Sequence, residues 1–147
     1  MVSVTENILI DRPTEEVFAF IGNYENDPKW RAGVFEMRHD PPGEAQVGTK
    51  TREVMRFMGR RTVNCAEVVE YEVGHKTAFS TIAGPISASG YRLTEREGKP
   101  TRFTYHAHSE LSGLYQLLSP LIVWAFRRRV QTDLARLKTL LETNKGR

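Results

Sequence analysis

Residues 2–10, VSVTENILI, alternate partly between apolar and polar positions and are rich in β-branched side chains, the pattern of a strand with two unlike faces. The run Asp11-Arg12-Pro13-Thr14-Glu15-Glu16 then predicts a helix start. A proline sits at or near the first helical position, with Asp11 or Arg12 ahead of it, and two acids occupy the first turn, where the macrodipole favours negative charge. Val17, Phe18, Phe20 and Ile21 give this helix an apolar face, and Gly22-Asn23 stops it. Tyr24 to Lys29 has room for one more short turn, closed by Asp27-Pro28, and Trp30 follows directly. Six further strand-like runs cover 34–40, 47–58, 61–73, 76–83, 86–96 and 101–110. They are parted by Pro41-Pro42-Gly43, Gly59, Gly74, Gly84-Pro85 and Glu97-Gly98-Lys99-Pro100. Connections this short predict antiparallel hairpins. From Ser112 the period changes to that of a helix: Val123, Phe126, Val130, Leu134, Leu137 and Leu141 recur at spacings of three and four along one face. Residues 144–147 read as a frayed end.

The predicted order is strand, two short helices, six strands, long helix. This is an α+β chain in one domain, 1–147, with neither linker nor internal repeat. A seven-stranded antiparallel sheet needs cover on one face, and the long C-terminal helix is the element able to supply it. A sheet curved around a helix encloses space, which is the physical reason to expect a pocket between them.

Composition narrows the classes. With 147 residues, 39% of them apolar, the chain can bury a core without covalent staples. The single cysteine, Cys65, cannot form an internal disulfide or a cysteine-rich metal site, and it fits a reducing compartment. No basic segment followed by an apolar stretch opens the chain, and no apolar run reaches membrane-spanning length, so a cytoplasmic location is expected. The net charge of +3 is uneven: residues 1–126 carry 14 basic and 16 acidic side chains, residues 127–147 carry 7 and 2. Basic charge confined to a tail, without interleaved aromatics, argues against a nucleic-acid partner.

Strand alternation nominates the pocket wall. Phe103 and Tyr105 share a face of the last strand, and Phe79, Tyr91, Met55, Phe57, Phe35 and Met37 are the corresponding choices on the others, with Val123 and Phe126 facing them from the helix. Aromatic and methionine side chains suit an irregular apolar ligand, although the same residues can simply pack against one another as core. Glu6 and Glu53 interrupt apolar faces. Each is a candidate acid or base if desolvated, or else a solvated or arginine-paired carboxylate. His106 and His108 have the spacing of a metal pair but lie on the face opposite Phe103 and Tyr105, so no metal and no cofactor is expected. Residues 114–126, LYQLLSPLIVWAF, are apolar almost all round, with Ser119-Pro120 placed to kink or cap the helix and Arg127-Arg128-Arg129 directly after. Such a segment is buried, self-associates as a homodimer contact, or touches a membrane transiently.

The run from Ile8 to Ile21, ILIDRPTEEVFAFI, followed by Pro28-Lys29-Trp30 and closed by Leu134-Ala135-Arg136-Leu137-Lys138-Thr139-Leu140-Leu141-Glu142, resembles the START-like, Bet v 1-like superfamily, whose bacterial members include the SRPBCC or polyketide cyclase/dehydrase-like proteins. The resemblance implies a helix-grip fold over nearly the whole chain. It implies a position for Trp30 near the pocket's edge, where a plain core anchor is the other reading. It carries no catalytic residues, since the superfamily shares none. The leading expectation is binding or carriage of a small hydrophobic molecule such as a lipid, polyketide, quinone or aromatic compound. A polyketide aromatase/cyclase using Glu53, Tyr91, Tyr105 or Arg52, and a protein-interaction module of a co-chaperone-like or toxin-like kind, are the alternatives.

Overall fold

A computed structural model describes residues 2–57, 59–84, 87–110 and 117–143, the Phe57 side chain excepted. Strand β1 (Val2–Ile10) leads to helix α1 (Thr14–Ile21), a 3-10 turn (Tyr24–Asn26) and helix α2 (Asp27–Trp30). Strands β2 (Val34–Asp40), β3 (Lys50–Phe57), β4 (Arg60–Glu72), β5 (Lys76–Ala83), β6 (Ala88–Arg96) and β7 (Thr101–Ser109) follow, and helix α3 (Ser119–Thr143) ends the chain. The strands form one antiparallel sheet in the order β1-β7-β6-β5-β4-β3-β2. Every consecutive pair from β2 to β7 is a hairpin, as the short turns require, and β1 closes on β7. The sheet is curved around α3, which makes this a helix-grip fold. The expected Met58 end of β3, the Ile86 start of β6, the helical reading of 112–116 and the 144–147 tail lie outside the described residues.

α1 begins one residue later than proline-at-N1 would have it. Pro13 is itself the N-cap, and Glu15 and Glu16 occupy the first turn. Val17, Phe18 and Ile21 are the buried face. Gly22 ends the helix with an ordinary right-handed backbone. Its value is space, because a Cβ there would stand 2.8 Å from the Phe18 carbonyl oxygen and 3.1 Å from the Tyr71 hydroxyl.

The dry core lies toward the C-terminal half of α3. Val130, Leu134, Leu137 and Leu141 pack with Val4, Ile10, Val17, Phe18, Ile21, Trp30 and Phe103. Burying each such side chain stabilises the fold by about 1.5–3 kcal/mol. Polar ties secure the end of α3: Arg12 Nε donates to the Leu141 carbonyl (3.0 Å), Lys138 Nζ to the Leu9 carbonyl (2.7 Å), and the Asp11 amide to Glu142 (2.8 Å). Toward its N-terminal half α3 leaves the sheet uncovered, and the space opens there.

Candidate functional site: a cavity between sheet and helix

Along the middle of the concave face the strands present small side chains. Ala66, Ala88 and Ala107 point inward, and Gly90 lies between Phe79 and Ala107 in register. A Cβ at Gly90 would collide with the His106 carbonyl oxygen. Small residues here, facing Ile122 and Phe126 of α3, leave a cavity of about 130 Å³. An engineered apolar cavity of roughly 150 Å³ holds a benzene ring, so the space is of ligand size.

Its walls are mainly apolar: Val2, Met37, Met55, Phe79, Ile122, Phe126 and the ring of Tyr105. One side is polar. Arg31 Nη1 donates to Glu53 (2.7 Å) and to Asp27 (3.0 Å), and Asn64, Thr51 and Tyr105 stand in the same wall. Behind them, Arg92 makes a two-pronged bond to Asp27 (2.9 and 2.6 Å) and donates to the Ile21 carbonyl (2.9 Å). Arg92 and Asp27 are fully buried. The Arg92 guanidinium also lies 4.4 Å from the Tyr24 ring centre and 5.4 Å from that of Trp30. Two positive and two negative groups thus form a neutral cluster that fixes α2 to β6 and β3.

The electrostatics follow from that burial. Desolvation works against the Arg31 cation, but the oxygens of Tyr105, Glu53 and Asp27 more than reverse it, and its pKa lies well above the usual arginine value. Arg92 behaves alike, with Asp27 as the main counterweight to burial. Burial pushes the Tyr24 phenol up to about 12 despite the neighbouring Arg92, and its hydroxyl pairs with Thr77 at 2.8 Å. Asp133 on α3 is raised by burial, partly offset by the hydrogen bond from the Ala32 amide.

The sequence-nominated residues divide. Met37, Met55, Phe79, Tyr105 and Phe126 meet around the cavity. Trp30 and Phe103 sit beside it in the dry core, edge to face at 6.0 Å. Val123 packs half-buried against that core, while the neighbouring Ile122 faces the cavity. Two assignments are corrected. Phe35 is 56% exposed and lies under Arg56 on the outer face, because a bulge between Val34 and Glu36 breaks the alternation that would have paired it with Met37. Tyr91 also faces outward, stacked on His106 at 4.9 Å, and its strand neighbour Arg92 points in. The side chain of Phe57 lies outside the described residues. Sequence reading missed Arg31, Asn64 and Arg92. Alternation on β6 could have placed Arg92 inward only if its distant partner Asp27 had been known.

Both questioned glutamates are arginine-paired: Glu53 with Arg31, and Glu6 with Arg127 at 2.9 Å. Arg52 is exposed on the outer face, near Glu36. Among the described residues no three of His, Cys, Asp or Glu converge as a metal site would require, and no helix is long and apolar enough to cross a membrane.

A family model described as "Polyketide cyclase / dehydrase and lipid transport" matches residues 1–142. No curated protein matches the chain. Among solved structures, a Thermus thermophilus protein superposes with a TM-score of 0.84 at 20% identity, covering 98% of this chain and 99% of that one. The Zhui aromatase/cyclase from a Streptomyces species gives 0.74 at 11% identity, covering 95% and 93%. A START superfamily protein from Mycobacterium smegmatis gives 0.70 at 12% identity, covering 94% and 98%. Likeness at such identities establishes the fold.

Proposed function

From the premise that the chain belongs to the polyketide cyclase/dehydrase and lipid transport family, we propose that it binds and carries a small, mostly apolar molecule in the cavity between sheet and α3. The observation that carries this reading is a ligand-sized, mainly apolar space in which the Arg31–Glu53 pair, Asn64 and Thr51 are grouped in one wall, with Thr81, His108 and Ser109 toward the open end. Apolar walls supply affinity by removing ligand surface from water, and the Arg31, Asn64 and Tyr105 side orients one oxygen-bearing end. The ligand is therefore amphipathic, with a carbonyl or hydroxyl at one end of a ring or chain.

The test fills the space. Native mass spectra of the freshly purified chain should show a discrete extra mass, extractable on denaturation. The double variant Ala66→Leu, Ala107→Leu should lose it while keeping a cooperative melt, since added methylenes enter a void and not a packed core. Equal retention of that mass by the filled variant would sink the proposal.

A second reading has its own support. Arg31, Glu53 and Tyr105 converge on one wall, which is the setting for enolising a bound polyketone by proximity. In the same experiment, turnover that Glu53→Gln abolishes while the bound mass persists selects the cyclase. Unchanged bound ligand without turnover in either protein selects the carrier.

A further inference from the structure

The hairpin topology gathers the ends of β3, β5 and β7, the beginnings of β1, β2, β4 and β6, and the N-terminus of α3 at one end of the molecule. The cavity reaches this end, where Ala88, Ser109 and Ile122 are part of its wall. Two features there have no use inside the fold.

The first is an apolar stripe. Leu121 and Trp124, three apart on α3, are 61% and 59% exposed, Leu117 just ahead of the helix is 79% exposed, and Ile122 and Phe126 of the same helix face inward. The stripe runs on into Arg128, whose guanidinium lies 5.5 Å from the Trp124 ring centre.

The second is uncompensated positive charge. Arg56 on β3 stands directly opposite Arg61 on β4. Like charges facing one another across a strand pair destabilise the sheet. Among the described residues neither has a carboxylate within 4.0 Å, and nor does Arg128. Arg129 Nη1 lies against Gly33, where an added Cβ would also stand 3.2 Å from the Arg56 carbonyl oxygen. The nearby acids are engaged: Glu6 by Arg127, Glu36 by Arg38 and Arg52, Glu110 by His108.

We infer that this end of the molecule docks on an anionic lipid bilayer. Exposed leucines and a tryptophan match the acyl–headgroup boundary, and the unpaired Arg128 beside the tryptophan, with Arg56 and Arg61 at the same end of the sheet, match lipid phosphates. The charge complementarity selects an anionic surface. The continuity of stripe and cavity gives an apolar ligand a route that avoids water. The opposed Arg56 and Arg61, costly in the free protein, are relieved by the same anions.

The full chain is mixed with phosphatidylcholine vesicles, and separately with vesicles containing roughly a third phosphatidylglycerol. Sedimentation and tryptophan emission are read together. Trp30 is buried, so a blue shift reports Trp124. Expected are binding to the anionic vesicles with a blue shift, loss of both in about 0.5 M salt, and partitioning weakened on the order of tenfold or more by Arg56→Ser with Arg61→Ser. Trp124→Ser with Leu121→Ser should also weaken it. These side chains are exposed, and circular dichroism checks that each variant is folded. No preference for anionic vesicles overturns the inference. So does a blue shift that appears without lipid as protein concentration rises, since the stripe would then belong to a second copy of the chain. Ligand retention in lipid-free solution is a separate measurement, so failure here leaves the carrier proposal standing.

Discussion

Arg92 holds its charge almost fully buried beside the cavity, and its two terminal nitrogens are paired although its Nε has no partner. The Asp27 carboxylate takes both prongs of its guanidinium, the Ile21 carbonyl takes a third bond, and the faces of Tyr24 and Trp30 lie against it. A buried pair of this kind adds little over a well-packed apolar pair, but removing one half strands the other. Arg92→Met should therefore cost about 3–5 kcal/mol in urea denaturation, far beyond the loss of a surface arginine, and a cost under about 1 kcal/mol would contradict this account. Little of this was legible in the sequence. Between Tyr91 and Leu93 an arginine looks like the solvent-facing member of its strand, and its partner lies 65 positions away. Tyr91 tolerates the outer face because His106 stacks on one side of the strand and Lys76 lies 5.0 Å from its ring centre.

Elements were more legible than faces. The two helices after β1, the seven strands and the long C-terminal helix follow from period and turn chemistry, since those signals are local. The side of a strand that points inward depends on register, and one extra residue reverses it. The bulge at Val34/Glu36 did this to Phe35 while leaving Met37 on the cavity. On α3 the apolar stripe was correct from Phe126 onward, where the cavity, β1 and α1 give it something to cover, and at its first position shifted from Val123 to Ile122. The junction of α3 with α2 makes a pH prediction. Burial raises the Asp133 pKa above its ordinary 3.8, so its contribution to stability is whole below that value and is lost as pH rises through the folded pKa. Asn at this position still accepts from the Ala32 amide and cannot ionise. Asp133→Asn should melt higher than the parent at neutral pH, with the gain vanishing as pH falls below 3.8. A lower melt at neutral pH would mean that attraction to Arg31, Arg129 and Arg136 outweighs burial.

At the scale of the molecule, one end of the sheet–helix sandwich is a packed core and the other is a space with a greasy, basic rim. The sequence announced the space only as a consequence of curvature. Its size depends on Ala66, Ala88, Gly90 and Ala107, small residues that read as unremarkable strand positions until β4, β6 and β7 bring them onto one concave face. Those residues also set how the protein answers to compression. Unfolding lets water into any void, so the empty chain occupies less volume unfolded than folded by an amount that scales with the cavity. Hydrostatic pressure should then unfold the ligand-free protein readily. A ligand in the cavity, or the leucines of the filled variant, should move the transition to higher pressure, and an unchanged midpoint would mean the space is already full of water. Three alanines and a glycine on the concave face would in this way make the protein's volume a direct readout of whether it is loaded.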